Sequence, residues 1–95
     1  MLNIAIAAKT RFPLGQICMT PGARDTFKPE QIVEAIQRHS RGDWGDVGAA
    51  DARENEISLK EGFRLMSVYT FGDDKLWVIT EADRSSTTAL LPDEY

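Results

Sequence analysis

Two acidic stretches contain the residues best suited to bind a partner or to do chemistry. The first is Gly42-Asp43-Trp44-Gly45-Asp46, where glycines allow unusual backbone angles, two carboxylates can hold a basic group, and Trp44 offers a large contact surface. The same string also suits a tight helix-to-helix connection, with Trp44 in the core and the aspartates capping helix ends. We favour this structural interpretation. A calcium loop would need more oxygen ligands at regular spacing.

The second stretch, residues 80–86, brings two acids, an arginine and several hydroxyls together at a predicted strand-to-strand turn. An enzyme could use Glu81 or Asp83 as a base and Arg84 as an anion clamp. Turns need the same residue types, so pairing of Arg84 with a neighbouring carboxylate is the favoured interpretation. Across the two stretches, the predicted binding residues are Asp43, Trp44, Asp46, Glu81, Asp83 and Arg84.

Nucleophilic and metal chemistry have little support. His39 is the only histidine, so a site built on imidazoles would lack a second one, and acid-base work by imidazole would depend on His39 alone. Cys18 is the only cysteine, which excludes an internal disulfide and agrees with a reducing compartment. No glycine-rich elbow or helix start follows Cys18 immediately, so a small thiol in a strand is its ordinary explanation. We predict no catalytic residues, no metal ligands and no cofactor.

The elements that position these residues are predicted from their local patterns. Residues 64–71 and 75–81 are rich in β-branched and aromatic side chains, and Gly72-Asp73-Asp74 between them indicates a hairpin. Three further strands are predicted at residues 3–9, 14–20 and 87–91. Pro92 ends the last of them because it lacks an N–H group.

Three helical segments are predicted by their capping residues. Thr20 before Pro21 starts a helical turn over residues 21–27, and Pro29 starts the main helix over residues 29–40. The third helix covers residues 52–61, with Asp51 and Glu54 as a capping box and Gly62 as its end. The predicted fold class is therefore α+β, a single domain over residues 1–95 with an antiparallel sheet of about four strands and two main helices packed on it.

The composition is that of an ordinary globular domain, with 42% hydrophobic and 27% charged residues among 95. The apolar run at residues 4–8 is too short to span a membrane and has no basic region before it. We therefore expect a cytoplasmic protein that does not bind membranes.

Charge is distributed unevenly along the chain. Residues 1–41 hold six basic and three acidic groups, giving +3, whereas residues 42–95 hold five basic and twelve acidic groups, giving −7. An acidic surface repels nucleic acid and can attract basic protein grooves. It also keeps small proteins soluble, which is its commonest role. The basic groups are dispersed and not interleaved with aromatic residues, so direct nucleic-acid binding is not expected.

Several strings together resemble a family of small bacterial proteins, without an assigned activity, that are carried on plasmids and other mobile elements. The strings are Leu14-Gly15-Gln16, Thr20-Pro21-Gly22-Ala23, Arg38-His39, Gly42-Asp43-Trp44-Gly45-Asp46 and the closing ITEADRSSTTALLPDEY of residues 79–95. The resemblance covers residues 14–95 and leaves residues 1–13 out. It implies no catalytic role for any residue, only that accessory proteins of this kind often bind a host defence or replication protein.

The favoured functional hypothesis is a non-enzymatic accessory protein of a mobile element whose acidic surface binds a basic surface on a protein partner. An inhibitor of a host defence system, of the anti-CRISPR or anti-restriction type, is its specific form. One alternative is a small enzyme or metal-dependent hydrolase using acids of the 43–46 and 81–84 loops, which must then converge in one pocket. Another is a dimeric structural module, and the sequence allows a monomer or a homodimer.

Overall fold

A computed structural model describes residues 10–95, and within them it contains four β-strands, three α-helices and a short 3-10 turn. The predicted α+β class is confirmed. The strands are β1 (Gln16–Met19), β2 (Leu65–Phe71), β3 (Asp74–Thr80) and β4 (Ser86–Leu90), and the helices are α1 (Pro21–Thr26), α2 (Pro29–Ser40) and α3 (Ala49–Glu61), followed by the 3-10 turn Pro92–Glu94. The strand predicted at residues 3–9 lies outside the described residues.

The four strands form one sheet in the order β1-β4-β3-β2. The predicted hairpin is confirmed, since β2 pairs antiparallel with β3, and Gly72 at its tip has a φ of 63° that suits a residue without a Cβ. β4 returns antiparallel to β3, but β1 pairs parallel with β4, so the sheet is mixed and not wholly antiparallel. A parallel pair needs a long crossover, and the intervening helices and strands supply it.

Two of the helices begin where their capping residues predict. In α1 the Thr20 hydroxyl accepts from the Ala23 N–H at 3.1 Å, and Pro21 fills the first helical position. Pro29 starts α2 in the same way, and the Gln31 side chain accepts from the Lys28 N–H at 2.9 Å. Each cap satisfies a backbone donor that has no partner inside the helix.

The predicted start of α3 is wrong. This helix begins at Ala49 with Gly48 as its N-cap, and Asp51 lies in its first turn. Ala49 and Ala50 favour the helical state strongly enough to extend it one turn earlier, where an acid in the first turn still suits the helix dipole. Gly62 ends the helix as predicted, in a left-handed conformation with a φ of 79°.

One face of the sheet carries the core. Tyr69 lies opposite Leu76, and both are fully buried, as is Val78 on the same face. Helix α2 lies against β2 and β3 and buries Ile32 and Ile36 on its inner side. Ile32 and Ile36 are four residues apart, so they lie on one face of α2, and this face points into the core.

The β2 edge that no described strand covers is paired by an α3 side chain and by the 43–46 loop, which hydrogen-bond its backbone groups. The Asn55 amide of α3 donates to the Met66 carbonyl at 2.7 Å, and its oxygen accepts from the Met66 N–H at 3.1 Å. Two residues along, the Val68 N–H donates to the Trp44 carbonyl at 3.1 Å, and the Val68 carbonyl accepts from the Asp46 N–H at 2.6 Å. The 43–46 loop is thereby held along the sheet edge.

Candidate functional site

Asp43 is anchored inside its own loop. Its carboxylate accepts from Arg38 Nε at 2.7 Å and from Arg38 Nη2 at 3.2 Å, and also from the Gly45 N–H at 3.2 Å. The hydrogen bonds from Arg38 hold the pKa of Asp43 below its usual value. The Tyr69 hydroxyl donates to the Asp43 backbone carbonyl at 2.6 Å, so the carboxylate and the backbone of Asp43 both hold the loop in place.

Trp44 is buried, with 6% of its surface exposed. Its ring lies 6.3 Å from the Phe12 ring and 5.8 Å from the His39 ring, centroid to centroid, and its Nε1–H donates to the Glu56 carboxylate at 3.0 Å. Glu56 is held in turn by Arg11, whose hydrogen bonds are the main reason for its lowered pKa. This placement corresponds to the structural interpretation of Trp44, as a side chain that fills the core.

Asp46 is exposed beside the end of β2. Its carboxylate accepts from the Thr70 hydroxyl at 2.6 Å, and it forms no ion pair among residues 10–95. Gly45 before it must be glycine, because an added Cβ would lie 2.0 Å from the Val68 carbonyl oxygen and the residue has a φ of 74°. The loop thus presents the Asp46 carboxylate outward while its backbone stays on the sheet.

Arg84 holds the β3–β4 turn against the end of α3. Its Nη1 donates to the carbonyls of Phe63 at 2.7 Å, Glu81 at 3.1 Å and Ala82 at 3.2 Å, and its Nη2 donates to the Ser58 carbonyl at 3.0 Å. The Ser58 carbonyl also accepts from the Gly62 and Phe63 N–H groups, so Arg84 adds a further donor at the end of α3 and ties the turn to it. The predicted pairing of Arg84 with a carboxylate is not observed among the described residues.

The two acids of this turn are both exposed. Asp83 accepts from the Ser85 N–H at 3.0 Å, and hydrogen bonds from Ser85 lower its pKa. Glu81 uses its backbone to close the turn, since its N–H donates to the Ser86 carbonyl at 3.0 Å. The Glu81 side chain has no hydrogen bond or ion pair to any described residue, so it is the freer of the two carboxylates.

The two predicted acidic groups lie at different places on the sheet. Asp46 is bonded to Thr70, whereas Glu81 follows Thr80, whose partner on β2 is Leu65. Thr70 and Leu65 are five residues apart on one strand, which corresponds to roughly 17 Å. Asp46 and Glu81 therefore do not share a pocket, which the alternative of an enzyme using both loops requires.

His39 is fully buried and both of its ring nitrogens are in use. Nδ1 lies 2.5 Å from Ser67 Oγ, and Nε2 lies 2.9 Å from Thr80 Oγ1. Burial, with a smaller contribution from the Arg84 charge, lowers the pKa of His39 from 6.5 to about 3. The ring is neutral at physiological pH and has no free nitrogen to offer a substrate.

Cys18 and His39 lie on opposite faces of the sheet. The register places Cys18 beside Thr88 and Ile79, whereas His39 contacts Thr80 on the other face. The sheet itself thus separates the thiol from the imidazole, and they cannot act as nucleophile and base.

Sequence reasoning missed a group of buried polar residues beside His39. Ser67, Thr80 and Thr87 are each fully buried on the core face. A signal was present in the alternation of the strands, because Ser67 interrupts the run Leu65 to Tyr69 and Thr80 ends the run from Leu76 on the face that should be apolar. Polar residues at such positions need partners, and a histidine on the facing helix can supply one.

A shallow groove of about 200 Å³ runs between α3 and the edge of β2. Its lining combines three acidic or basic groups with an amide, a hydroxyl and a thioether: Asp51, Glu54, Arg64, Asn55, Ser58 and Met66. Asp51 and Glu54 are three residues apart on the helix and therefore project to the same side. Sequence reasoning took both acids as capping residues and missed this groove.

Within residues 10–95, no helix is long and apolar enough to cross a membrane, and no group of three or more histidine, cysteine or acidic side chains is placed to hold a metal ion. No protein family, curated protein or solved structure matches this chain.

Proposed function

We propose that this chain is a non-enzymatic binding protein whose acidic surface docks on a basic surface of a protein partner. The observation that supports it most is the small number of its acids that are neutralised internally. Of the twelve acidic groups in residues 42–95, only Asp43 and Glu56 form an ion pair with another described residue. The remaining charge faces solvent, where it can attract a basic partner.

The arginine in the predicted site strengthens this argument. The Arg84 guanidinium is directed at four backbone carbonyls and forms no ion pair with Glu81 or Asp83 beside it, so both carboxylates stay available to a partner. Both acids are exposed, as are Asp46 and the groove acids Asp51 and Glu54. A basic protein surface, rather than nucleic acid, is the partner that such a charge distribution suits.

The proposed class of partner rests on the resemblance alone. Accessory proteins of plasmids and mobile elements often bind host defence proteins, and those proteins carry basic grooves that normally hold nucleic acid. The specific form of the proposal is an inhibitor of a defence system, of the anti-CRISPR or anti-restriction type. Its acidic surface would occupy such a groove in place of nucleic acid.

The test compares charge reversals that leave the fold intact. Asp43 and Asp83 are unsuitable because each accepts a backbone hydrogen bond in its own turn. Asp46→Lys and Glu81→Lys change exposed carboxylates in the two predicted regions, and the tagged variants are used to capture partners from cells that carry the encoding locus. The expected result is a captured protein that is lost at high salt and weakened by at least one reversal, by about tenfold or more.

Glu30→Lys and Glu34→Lys are the matched controls, since both acids are exposed on α2 and each change alters the net charge by the same amount. Circular dichroism on every variant establishes that the fold is retained. Capture that is equally strong in the wild type, the two reversals and the controls would contradict the proposal. Capture that depends on Glu30 and Glu34 instead would move the binding surface to α2.

A further inference from the structure

A buried chain of hydrogen bonds crosses the core from β2, through a histidine on α2, to the residue before Gly15. Its members are Ser67, His39, Thr80, Thr87 and the carbonyl of Leu14, joined by contacts of 2.5, 2.9, 2.7 and 2.7 Å in that order. The four side chains are all fully buried. We infer that this chain has a single proton order, in which His39 is locked as the neutral tautomer with its proton on Nε2.

The order is set from the Leu14 end. A carbonyl oxygen can only accept, so the Thr87 hydroxyl must donate to Leu14. Thr87 has no second proton, and its 2.7 Å contact with Thr80 therefore requires Thr80 to donate. Thr80 has then used its own proton, so it must accept from Nε2–H of His39 at 2.9 Å.

The remaining nitrogen of the ring completes the chain. With the proton on Nε2, a neutral ring leaves Nδ1 as an acceptor, and the Ser67 hydroxyl donates to it. The opposite order would leave one of the short oxygen-to-oxygen contacts without a proton, which costs free energy in a buried site. A doubly protonated ring would satisfy Thr80, but it would place a cation in the core with no carboxylate bonded to it and with the Arg84 charge opposing it.

The chain acts as a latch between elements that are distant in the sequence. It ties α2 to β2, β3 and β4, and through Leu14 it fixes the segment that leads into β1. β1 has four residues, and its partner among the described strands is β4. The latch therefore supplies an anchor that short parallel pairing alone does not give.

The tautomer of His39 can be measured directly by ¹⁵N NMR. The signals can be assigned without a mutant, because the protein has one histidine. The expected spectrum at neutral pH shows Nε2 at a pyrrole-type shift and Nδ1 at a pyridine-type shift. A proton on Nδ1, or two averaged nitrogen shifts in the wild type, would overturn the inference. This measurement uses the wild-type protein, so it tests the inference even if every variant fails to fold.

Thr87→Val tests the origin of the order, because it removes the hydroxyl that forces Thr80 to donate onward. Thr80 can then donate to Nε2, and the two nitrogen shifts should move toward each other as the second tautomer becomes populated. The Gln16 N–H donates to the Ser85 carbonyl, just before β4, and the Thr20 N–H donates to the Ala89 carbonyl of β4. Hydrogen exchange of these two amides should become about tenfold faster. Thr88→Val is the matched control, since Thr88 is the neighbouring residue on the opposite face. A Thr87→Val protein with an unchanged tautomer would contradict the inference that Thr87 sets the proton order.

Discussion

The imidazole of His39 makes the stability of this protein sensitive to mild acid. Its pKa in the folded state is about 3, against 6.5 for an exposed histidine. Below pH 6.5 the unfolded chain therefore binds a proton that the folded protein does not bind. The contribution of the neutral His39 ring to the free energy of unfolding is therefore fully present above pH 6.5 and is lost progressively as the pH is lowered. The carboxylates with lowered pKa values, such as Asp43 and Glu56, add to this loss only near or below their ordinary values of 3.8 and 4.5.

We predict that the free energy of unfolding decreases by about 1 kcal/mol or more for each pH unit below 6.5, until the carboxylates also begin to titrate. Urea unfolding at several pH values between neutral and mildly acidic measures the slope. His39→Gln keeps a donor and an acceptor but does not titrate, so its stability should be nearly flat over this interval. A wild-type protein equally stable throughout the interval would show that the ring is not held neutral.

Arg84 has the only positive φ, 61°, among the described residues other than glycine. Both Arg84→Ala and Arg84→Gly remove the guanidinium that bonds the Ser58 and Phe63 carbonyls, but only glycine relieves the backbone. We predict that the alanine variant is less stable than the glycine variant by about 1 kcal/mol in urea unfolding. Equal stabilities would mean that the turn relaxes to a negative φ once the side chain is removed.

Asn55 shows how one element protects another. Its amide occupies the hydrogen-bonding positions that a further strand would take on Met66, and the residue is only 5% exposed. Without it, the β2 edge would present unpaired backbone groups, which promote pairing between copies.

We predict that Asn55→Leu lowers the free energy of unfolding by about 2 kcal/mol, because two partly buried backbone groups lose their partner. The variant should also self-associate, and sedimentation velocity measures that separately from urea unfolding. Glu54→Leu, an exposed neighbour on the same helix, is the control for added apolar surface. If both variants behave alike, the amide is not what seals the edge.

Elements were predictable to the extent that their determinants are local. α2 and the β2–β3 hairpin are defined by periodicity, proline and glycine within their own residues, and both were predicted correctly. The start of α3 was misplaced because Asp51 suits an N-cap and a first turn almost equally well. The direction of β1 depends on β4, which lies some seventy residues later, and no local pattern encodes it.

At the scale of the whole molecule, charge is the feature that the fold leaves unbalanced. The net charge is −4, and most acids of residues 42–95 have no ion pair with a described residue. Repulsion among such groups destabilises the folded state. Exposed ion pairs contribute little to stability, so screening them with salt costs little. Screening should therefore strengthen the folded state.

We predict that raising the ionic strength from low to above physiological raises the Tm by a few degrees. The double variant Asp46→Lys, Glu81→Lys brings the net charge to zero, since each reversal adds two charges to −4, and both carboxylates are exposed and lie outside the helices. Its Tm should be higher than that of the wild type at low salt and less dependent on salt. Thermal unfolding by circular dichroism measures both quantities, and a wild-type Tm that falls with salt would show that the ion pairs dominate.

The sequence by itself determined the local elements and the charge asymmetry, because the period of apolar residues, the caps and the charge count depend only on neighbours along the chain. Only the tertiary structure decided the buried position of Trp44, the separation of Asp46 from Glu81, and the chain of hydrogen bonds through His39. These depend on strand register and on partners that are far apart in sequence, 28 residues for His39 and Ser67 and 73 for Leu14 and Thr87. A one-residue shift in register would move each of these strand side chains to the other face, so their contacts exist only once the whole sheet has formed.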